Sequence, residues 1–179
     1  MKSYLYTPFE LALIIQHHAL DCNKYMDLLH SIYQNDKSFL LPEYRNNQKK
    51  LFLDVMDNLN YINNTENYLS EIEAIEKDSE ALGLVNNYSG DNLLNSFNHL
   101  IFKELRIRIL YINTRGFACL KLRTLLSELG YKRRSPHIIQ YIIDCLNFYH
   151  ISVSLRGNVP CDIKSVSIDD TIVFRTHPI

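Results

Sequence analysis

Three consecutive basic side chains, Lys132, Arg133 and Arg134, are the clearest candidates for chemistry in this sequence. Lysine and arginine neutralise phosphate groups, and arginine can donate two parallel hydrogen bonds to one phosphate. Ser135 and Pro136 follow at once, and a serine N-cap before a first-turn proline is typical of a helix start. A helix start carries free backbone N–H groups and partial positive charge, which also attract anions. The segment therefore predicts a polyanion-binding surface; a solvated turn of the same composition is the alternative.

Charge is divided unevenly between the two halves of the chain. Residues 1–90 hold 7 Lys and Arg against 13 Asp and Glu, a net charge of −6, whereas residues 91–179 hold 12 against 7, a net charge of +5. Between residues 103 and 134, nine bases face only Glu104 and Glu128. The asymmetry favours a polyanion as partner of the second half, and attraction between the two halves is the alternative. The nine bases are Lys103, Arg106, Arg108, Arg115, Lys121, Arg123, Lys132, Arg133 and Arg134.

Groups suited to catalysis or metal binding are scattered. The cysteines lie far apart without a C-x-x-C pair, which favours buried free thiols over a metal site. His17 and His18 are adjacent, and neighbouring side chains on a helix point about 100° apart, so they cannot share one face. No H-E-x-x-H, P-loop, G-x-S-x-G or G-x-G-x-x-G motif occurs. We therefore expect no catalytic residue, metal ion or cofactor; a nuclease or toxin, with Arg134 near His137, is the enzymatic alternative.

The first part of the chain has helical patterning. Thr7 can cap a helix that has Pro8 at its first position, and Glu10 completes a capping box. Apolar residues then recur with a period of about 3.6, which predicts one long amphipathic helix. The predicted helices of this part are 8–33, 42–61 and an acidic, exposed 65–82, and the candidate linker is 83–90.

The hydrophobic period of the second part changes after Tyr149. Before it, apolar residues recur at helical spacing, with Gly130 ending one helix and Ser135 starting the next. After it they alternate with Ser152 and Ser154, which is typical of a strand. The predicted elements are helices from residue 91 to about 112, over 122–130 and over 136–149, and strands over 151–155, 163–168 and 171–175 with a hairpin tip at Asp169-Asp170.

The pattern Leu-x-x-Leu-Leu-x-x-Leu-Gly at 122–130, then Ser135-Pro136, an isoleucine-rich helix and short strands, resembles the winged helix-turn-helix superfamily. The resemblance covers about a third of the chain. It implies that 136–149 is the recognition helix and that the 163–175 hairpin is the wing. Gln140 would suit an adenine edge, and His137 a base or a phosphate. The implied nucleic-acid-binding residues are Lys121, Arg123, Lys132, Arg133, Arg134, His137, Gln140 and Tyr141.

The sequence thus predicts a mainly α fold, with a helical N-terminal region followed by a winged-helix-like domain that ends in a small β-hairpin wing. We expect the acidic region 1–83 to serve interaction or dimerisation, and the basic domain 91–179 to bind duplex DNA or another nucleic acid as a regulator or accessory factor. The alternative is a non-catalytic subunit that docks a larger protein complex. The apolar stripe of the 8–33 helix fits either a homodimer interface or packing within the chain.

Membrane insertion and secretion are not expected. No apolar run reaches the roughly 18 residues that a membrane span needs, and the first residues lack the apolar core and cleavage site of a signal peptide. We therefore expect a cytoplasmic protein with no membrane partner.

Overall fold

A computed structural model of the chain describes residues 4–67 and 92–176. Within these residues the fold is mainly helical with one small three-stranded antiparallel sheet, in agreement with the predicted mainly α class. The chain divides into two compact units, residues 1–97 and residues 98–179. Most of the predicted 65–82 helix, the candidate linker 83–90 and the predicted cap Asp91 lie outside the described residues.

In the described part of the first unit, three helices surround an apolar core. They are α1 (Pro8–His17), α2 (Cys22–Asn35) and α3 (Gln48–Asn67), with a 3-10 turn at Lys37–Phe39. Each helix contributes side chains that are almost fully buried, including Leu11, Leu29 and Leu51. Burial of an aliphatic side chain of this size contributes about 1.5–3 kcal/mol, so this core is the main stabilising term of the unit.

The single long helix predicted over 8–33 is wrong, because the chain breaks for four residues between α1 and α2. Ala19 has a φ of 47°, a left-handed conformation that a continuous right-handed helix excludes. Asp21 then caps α2 by accepting a hydrogen bond from the backbone N–H of Lys24 at 3.0 Å. The apolar spacing of the sequence continues across the break, so the hydrophobic period did not reveal it.

The second predicted helix lies further along the chain than expected. The carbonyl of Pro42 accepts the backbone N–H of Arg45 at 3.3 Å in a turn, and α3 begins only after Asn47. The Asn47 side chain accepts the backbone N–H of Lys50 at 3.0 Å, which is N-cap geometry. The break predicted near 63–65 is also wrong, since α3 continues through Asn67. Proline and asparagine are both helix-start signals, and the local sequence alone did not show which of the two begins the helix.

The capping box predicted at the start of α1 is confirmed. The Thr7 hydroxyl accepts the Glu10 backbone N–H at 3.2 Å, and the Glu10 carboxylate accepts the Thr7 backbone N–H at 2.9 Å. Two backbone donors that the helix cannot satisfy internally are therefore paired.

Thr7→Ala removes the hydroxyl half of this box and is expected to lower the free energy of unfolding by about 1 kcal/mol. Urea denaturation followed by far-ultraviolet circular dichroism measures the change. Glu10→Gln keeps an acceptor for the Thr7 backbone N–H and should cost less. Equal stability of Thr7→Ala and the parent protein would contradict this account of the helix start.

The second unit combines helices with the small sheet. Its elements are α4 (Asn92–Ile107, which enters the unit at Asn98), a π-helical turn (Arg108–Ile112), β1 (Ala118–Lys121), α5 (Leu122–Glu128), α6 (Pro136–Phe148), β2 (Ile151–Leu155), a 3-10 turn (Arg156–Asn158) and β3 (Thr171–Thr176). Among the helices that the structure describes in either unit, none is both long and apolar enough to cross a lipid bilayer.

The sheet has the order β1-β3-β2, with β3 antiparallel to both neighbours. One end of the sheet holds the last residue of β1, the last of β2 and the first of β3. We call it the loop end, because the segment 156–170 leaves and re-enters the sheet there. The opposite end holds the first residues of β1 and β2. The register that defines these ends pairs Lys121 with Thr171 and Leu155 with Ile172 at one end, and Ala118 with Phe174 and Ile151 with Thr176 at the other.

Two of the strand predictions need correction. The strand expected over 163–168 is a series of turns that carries the buried side chains of Ile163 and Val166, so the predicted 163–175 hairpin does not form. Strand β3 pairs instead with β2 and with β1, a four-residue strand that the sequence analysis did not identify. Apolar residues in a loop that packs on the core have the same composition as a short strand, and only the pairing distinguishes them.

Candidate nucleic-acid interface

The predicted basic turn lies between α5 and α6 and is exposed. Among the described residues, the side chains of Lys132 and Arg133 form no hydrogen bond or ion pair. Arg134 differs, because its guanidinium Nη1 donates to the Val166 carbonyl at 2.6 Å. Two of the three predicted cations are therefore available to an external anion, and the third also holds the segment 156–170.

Helix α6 begins as the sequence predicts, with Ser135 as its N-cap. The Ser135 hydroxyl accepts the Ile138 backbone N–H at 3.3 Å, and the Ser135 carbonyl accepts that of Ile139 at 3.1 Å. Pro136 has no N–H, so the backbone N–H of His137 is the donor left open in the first turn. The start of α6 thus offers one backbone donor and the positive end of the helix dipole beside the exposed basic turn.

The predicted base-reading residues of α6 do not all face outward. His137 and Gln140 are exposed, but the Gln140 side-chain amide donates to the Asp144 carboxylate at 2.9 Å. Tyr141 is half-buried, and its ring lies 5.7 Å from that of His99 and 6.3 Å from that of Phe102. The structure therefore places Tyr141 on the core side of α6, away from any groove that the helix could enter.

Lys121 and Arg123 stand where β1 passes into α5, at the loop end of the sheet. Both are exposed, but Arg123 makes two hydrogen bonds to the Asp169 carboxylate, at 2.8 and 2.9 Å. These hydrogen bonds and the guanidinium charge lower the pKa of Asp169. Arg123 is thus already paired, whereas the Lys121 side chain forms no hydrogen bond within the described residues.

A groove of about 380 Å³ lies between the first turn of α6 and the segment 156–170. Lys164 lines it opposite Ser135, Pro136 and Gln140, with Arg134 beside them. A second groove, of about 280 Å³, also touches Arg134 and is lined by Arg123, Tyr131, Lys132 and Ile168. Lys164 was not among the predicted site residues, because a lone lysine between acidic residues follows no sequence pattern. Only its position beside α6 identifies it.

The band of nine bases does not form one exposed face. Lys103 and Arg106 are fully buried, and the half-buried Arg108, which begins the π-helical turn, pairs with Glu104 of α4 at 3.4 Å. The two buried side chains cannot belong to a polyanion-binding surface, and the Arg108 charge is already paired. Helical spacing in the sequence did not show which side of α4 faces the core.

The four cysteines are free, and their burial is mixed. Only Cys145 is fully buried, whereas Cys22 and Cys119 are exposed and Cys161 is half-buried, so the expectation of buried thiols is wrong for three of them. The Cys145 sulfur lies 3.7 Å from His99 Nδ1. Burial raises the pKa of Cys145 to about 11, and burial together with the Lys103 charge lowers that of His99 to about 4. Both groups are neutral at pH 7, unlike the thiolate of a nucleophilic cysteine.

No family model, curated protein or solved structure matches this chain.

Proposed function

We propose that the second unit binds duplex DNA through the basic turn and the start of α6. The observation that carries the proposal is the convergence of cations at the loop end of the sheet. Arg134 bonds to Val166, and Arg123 bonds to Asp169, so the turn, the start of α5 and the segment 156–170 lie together. Lys121 ends β1 at the same place. Residues 121–137 and 159–170 carry six Lys and Arg against four Asp and Glu, a net charge of +2.

The order of elements supports a winged-helix-type domain. From α4 onward the chain runs helix, strand, helix, helix, strand, strand, and the last two strands form a sheet with the first. Winged helix-turn-helix domains have this arrangement, in which α6 would be the recognition helix. The wing would then be the β2–β3 hairpin with its loop 156–170, rather than a 163–175 hairpin.

The outward face of α6 favours DNA binding mainly through contacts to phosphates, with few contacts to bases. Lysine and arginine contacts to phosphate position a protein on DNA and carry no base information. Gln140 already donates to Asp144, and a carboxylate in the major groove is accepted mainly opposite cytosine. We therefore expect sequence-independent or modestly specific binding as a regulator or accessory factor.

The double variant Lys132→Ala/Arg133→Ala tests this function. Each phosphate contact contributes about 0.9 to the slope of log affinity against log salt on duplex DNA, so the slope should become shallower by about 1.8. At 0.1 M salt the affinity should fall roughly fiftyfold, by the same relation. Fluorescence anisotropy of a labelled duplex across a salt series measures both quantities.

Lys49→Ala/Lys50→Ala is the matched control, since it removes two adjacent exposed lysines of the first unit. It should leave the slope unchanged. An unchanged slope for the Lys132/Arg133 double variant would refute the proposed site, and lack of any binding by the parent protein at low salt would refute the function.

Docking to another protein is the second candidate, and a surface of the first unit favours it. Leu53 and Met56 are adjacent on one face of α3, and they expose 50% and 39% of their areas. Met56 also lines a groove of about 470 Å³ with Ile15 and Tyr25. Exposed apolar patches of this kind often mark protein interfaces. Light scattering tests the case in which the partner is a second copy of this chain, because a 21 kDa species at micromolar concentration would exclude a homodimer.

A further inference from the structure

We infer that Lys164 is a second phosphate-binding arm, which contacts the backbone of the same duplex across Arg134 from Lys132. This inference rests on the proposed DNA binding and adds a residue from a different part of the chain. Lys132 lines the groove between α5 and the segment 156–170, and Lys164 lines the groove at the start of α6. Arg134 belongs to both. A nucleic-acid strand that passes over Arg134 would therefore meet a lysine in each groove.

The backbone around Lys164 is held in place by contacts on either side. Ile163 and Val166 are buried, and the Val166 carbonyl accepts the Arg134 guanidinium at 2.6 Å. Further along, the Ile168 carbonyl accepts the Arg123 backbone N–H at 2.8 Å. A side chain on an anchored segment loses less conformational freedom on binding than one on a loose loop, so its contact with a phosphate costs less entropy.

The acidic residues near Lys164 already have donors within the protein. Asp162 accepts the Lys164 backbone N–H at 3.0 Å and the Ser165 hydroxyl at 2.9 Å, and these bonds, with a smaller contribution from the Lys164 charge, lower the pKa of the Asp162 carboxyl. Asp169 is paired with Arg123, and Asp170 accepts the Ser167 backbone N–H at 3.3 Å. Among the described residues, no carboxylate forms an ion pair with the Lys164 ammonium. The ammonium is therefore not held in an ion pair and can contact a phosphate.

The test is the affinity of the full-length chain for a labelled DNA duplex across a salt series. Lys164→Ala should make the salt slope shallower by about 0.9 and weaken binding about five- to tenfold at 0.1 M salt. Lys164→Arg keeps the cation and should retain the slope of the parent protein. Circular dichroism of each variant establishes that the fold is kept.

Arg115→Ala provides a control within the same unit. Arg115 is exposed and precedes β1, at the end of the sheet opposite the loop end, and its side chain forms no hydrogen bond in the described part of the chain. Its removal should leave the slope unchanged. If Lys132→Ala/Arg133→Ala weakens binding while Lys164→Ala behaves like Arg115→Ala, the inference about Lys164 fails and the proposed function stands. If the parent protein binds no duplex at low salt, both fail.

Discussion

Arg106→Ala is expected to lower the stability of the second unit by about 3–5 kcal/mol, because it removes a fully buried side chain that makes two charge-assisted hydrogen bonds. The Nη1 atom of Arg106 donates to the Tyr149 carbonyl and to the Thr176 hydroxyl, each at 2.7 Å. Without the guanidinium, the Tyr149 carbonyl and the Thr176 hydroxyl each lose a charge-assisted hydrogen bond, and such a bond contributes about 1.5–3 kcal/mol. The lost side-chain volume adds the cost of a cavity.

Arg106→Met separates the two parts of this cost. Methionine refills much of the volume but restores none of the hydrogen bonds. The Arg106→Met variant should therefore lose some stability, but less than Arg106→Ala loses. Amide hydrogen exchange of peptides from α6 and β3 measures the effect on the unit that contains Arg106. Arg115→Ala, at an exposed arginine, should change stability by no more than about 0.5 kcal/mol. A similarly small change for Arg106→Ala would contradict the structural role of the buried guanidinium.

The second unit is expected to lose about 3 kcal/mol of stability on acidification, because of the buried His99. Burial, followed by the nearby Lys103 charge, lowers the pKa of His99 from 6.5 to about 4. Between these two values the unfolded chain binds a proton that the folded chain does not. Stability therefore falls as the pH drops below 6.5 and reaches its full loss only below pH 4.

His99→Gln tests this pH dependence, because glutamine does not titrate. The variant should show a smaller decrease in stability from pH 7 to pH 4.5 than the parent protein, whatever its stability at pH 7. Hydrogen exchange of α6 peptides at the two pH values, corrected for the intrinsic rate, gives the difference. His137→Gln, at an exposed histidine, should retain the decrease of the parent protein. Equal decreases for His99→Gln and the parent protein would exclude His99 as the origin.

Local signals in the sequence determined where some helices begin. The Thr7–Glu10 box and the Ser135 cap were both predicted, and both form. Their hydrogen bonds join residues only three apart, so the partners meet whenever the helix forms. The change of hydrophobic period after Tyr149 likewise predicted β2. These features depend on neighbours along the chain, and therefore the sequence contains nearly all the information about them.

The candidate site depended on contacts between distant residues. Arg123 and Asp169 are separated by 46 residues, and Arg134 and Val166 by 32, yet these contacts decide which cations are paired. Lys164 belongs to the site for the same reason, because it lies beside α6 only when the segment 156–170 packs next to the first turn of that helix.

The sequence by itself determined the charge excess of the second half, the helix caps and the basic turn, because composition and short-range hydrogen bonds do not depend on the rest of the fold. Only the tertiary structure decided that Lys103 and Arg106 are buried, that Tyr141 faces the core and that β3 pairs with β1. The physical reason is that burial and strand pairing depend on which surfaces meet. The desolvation cost of a residue type restricts which side chains can be buried, but it does not fix which surfaces pack against each other.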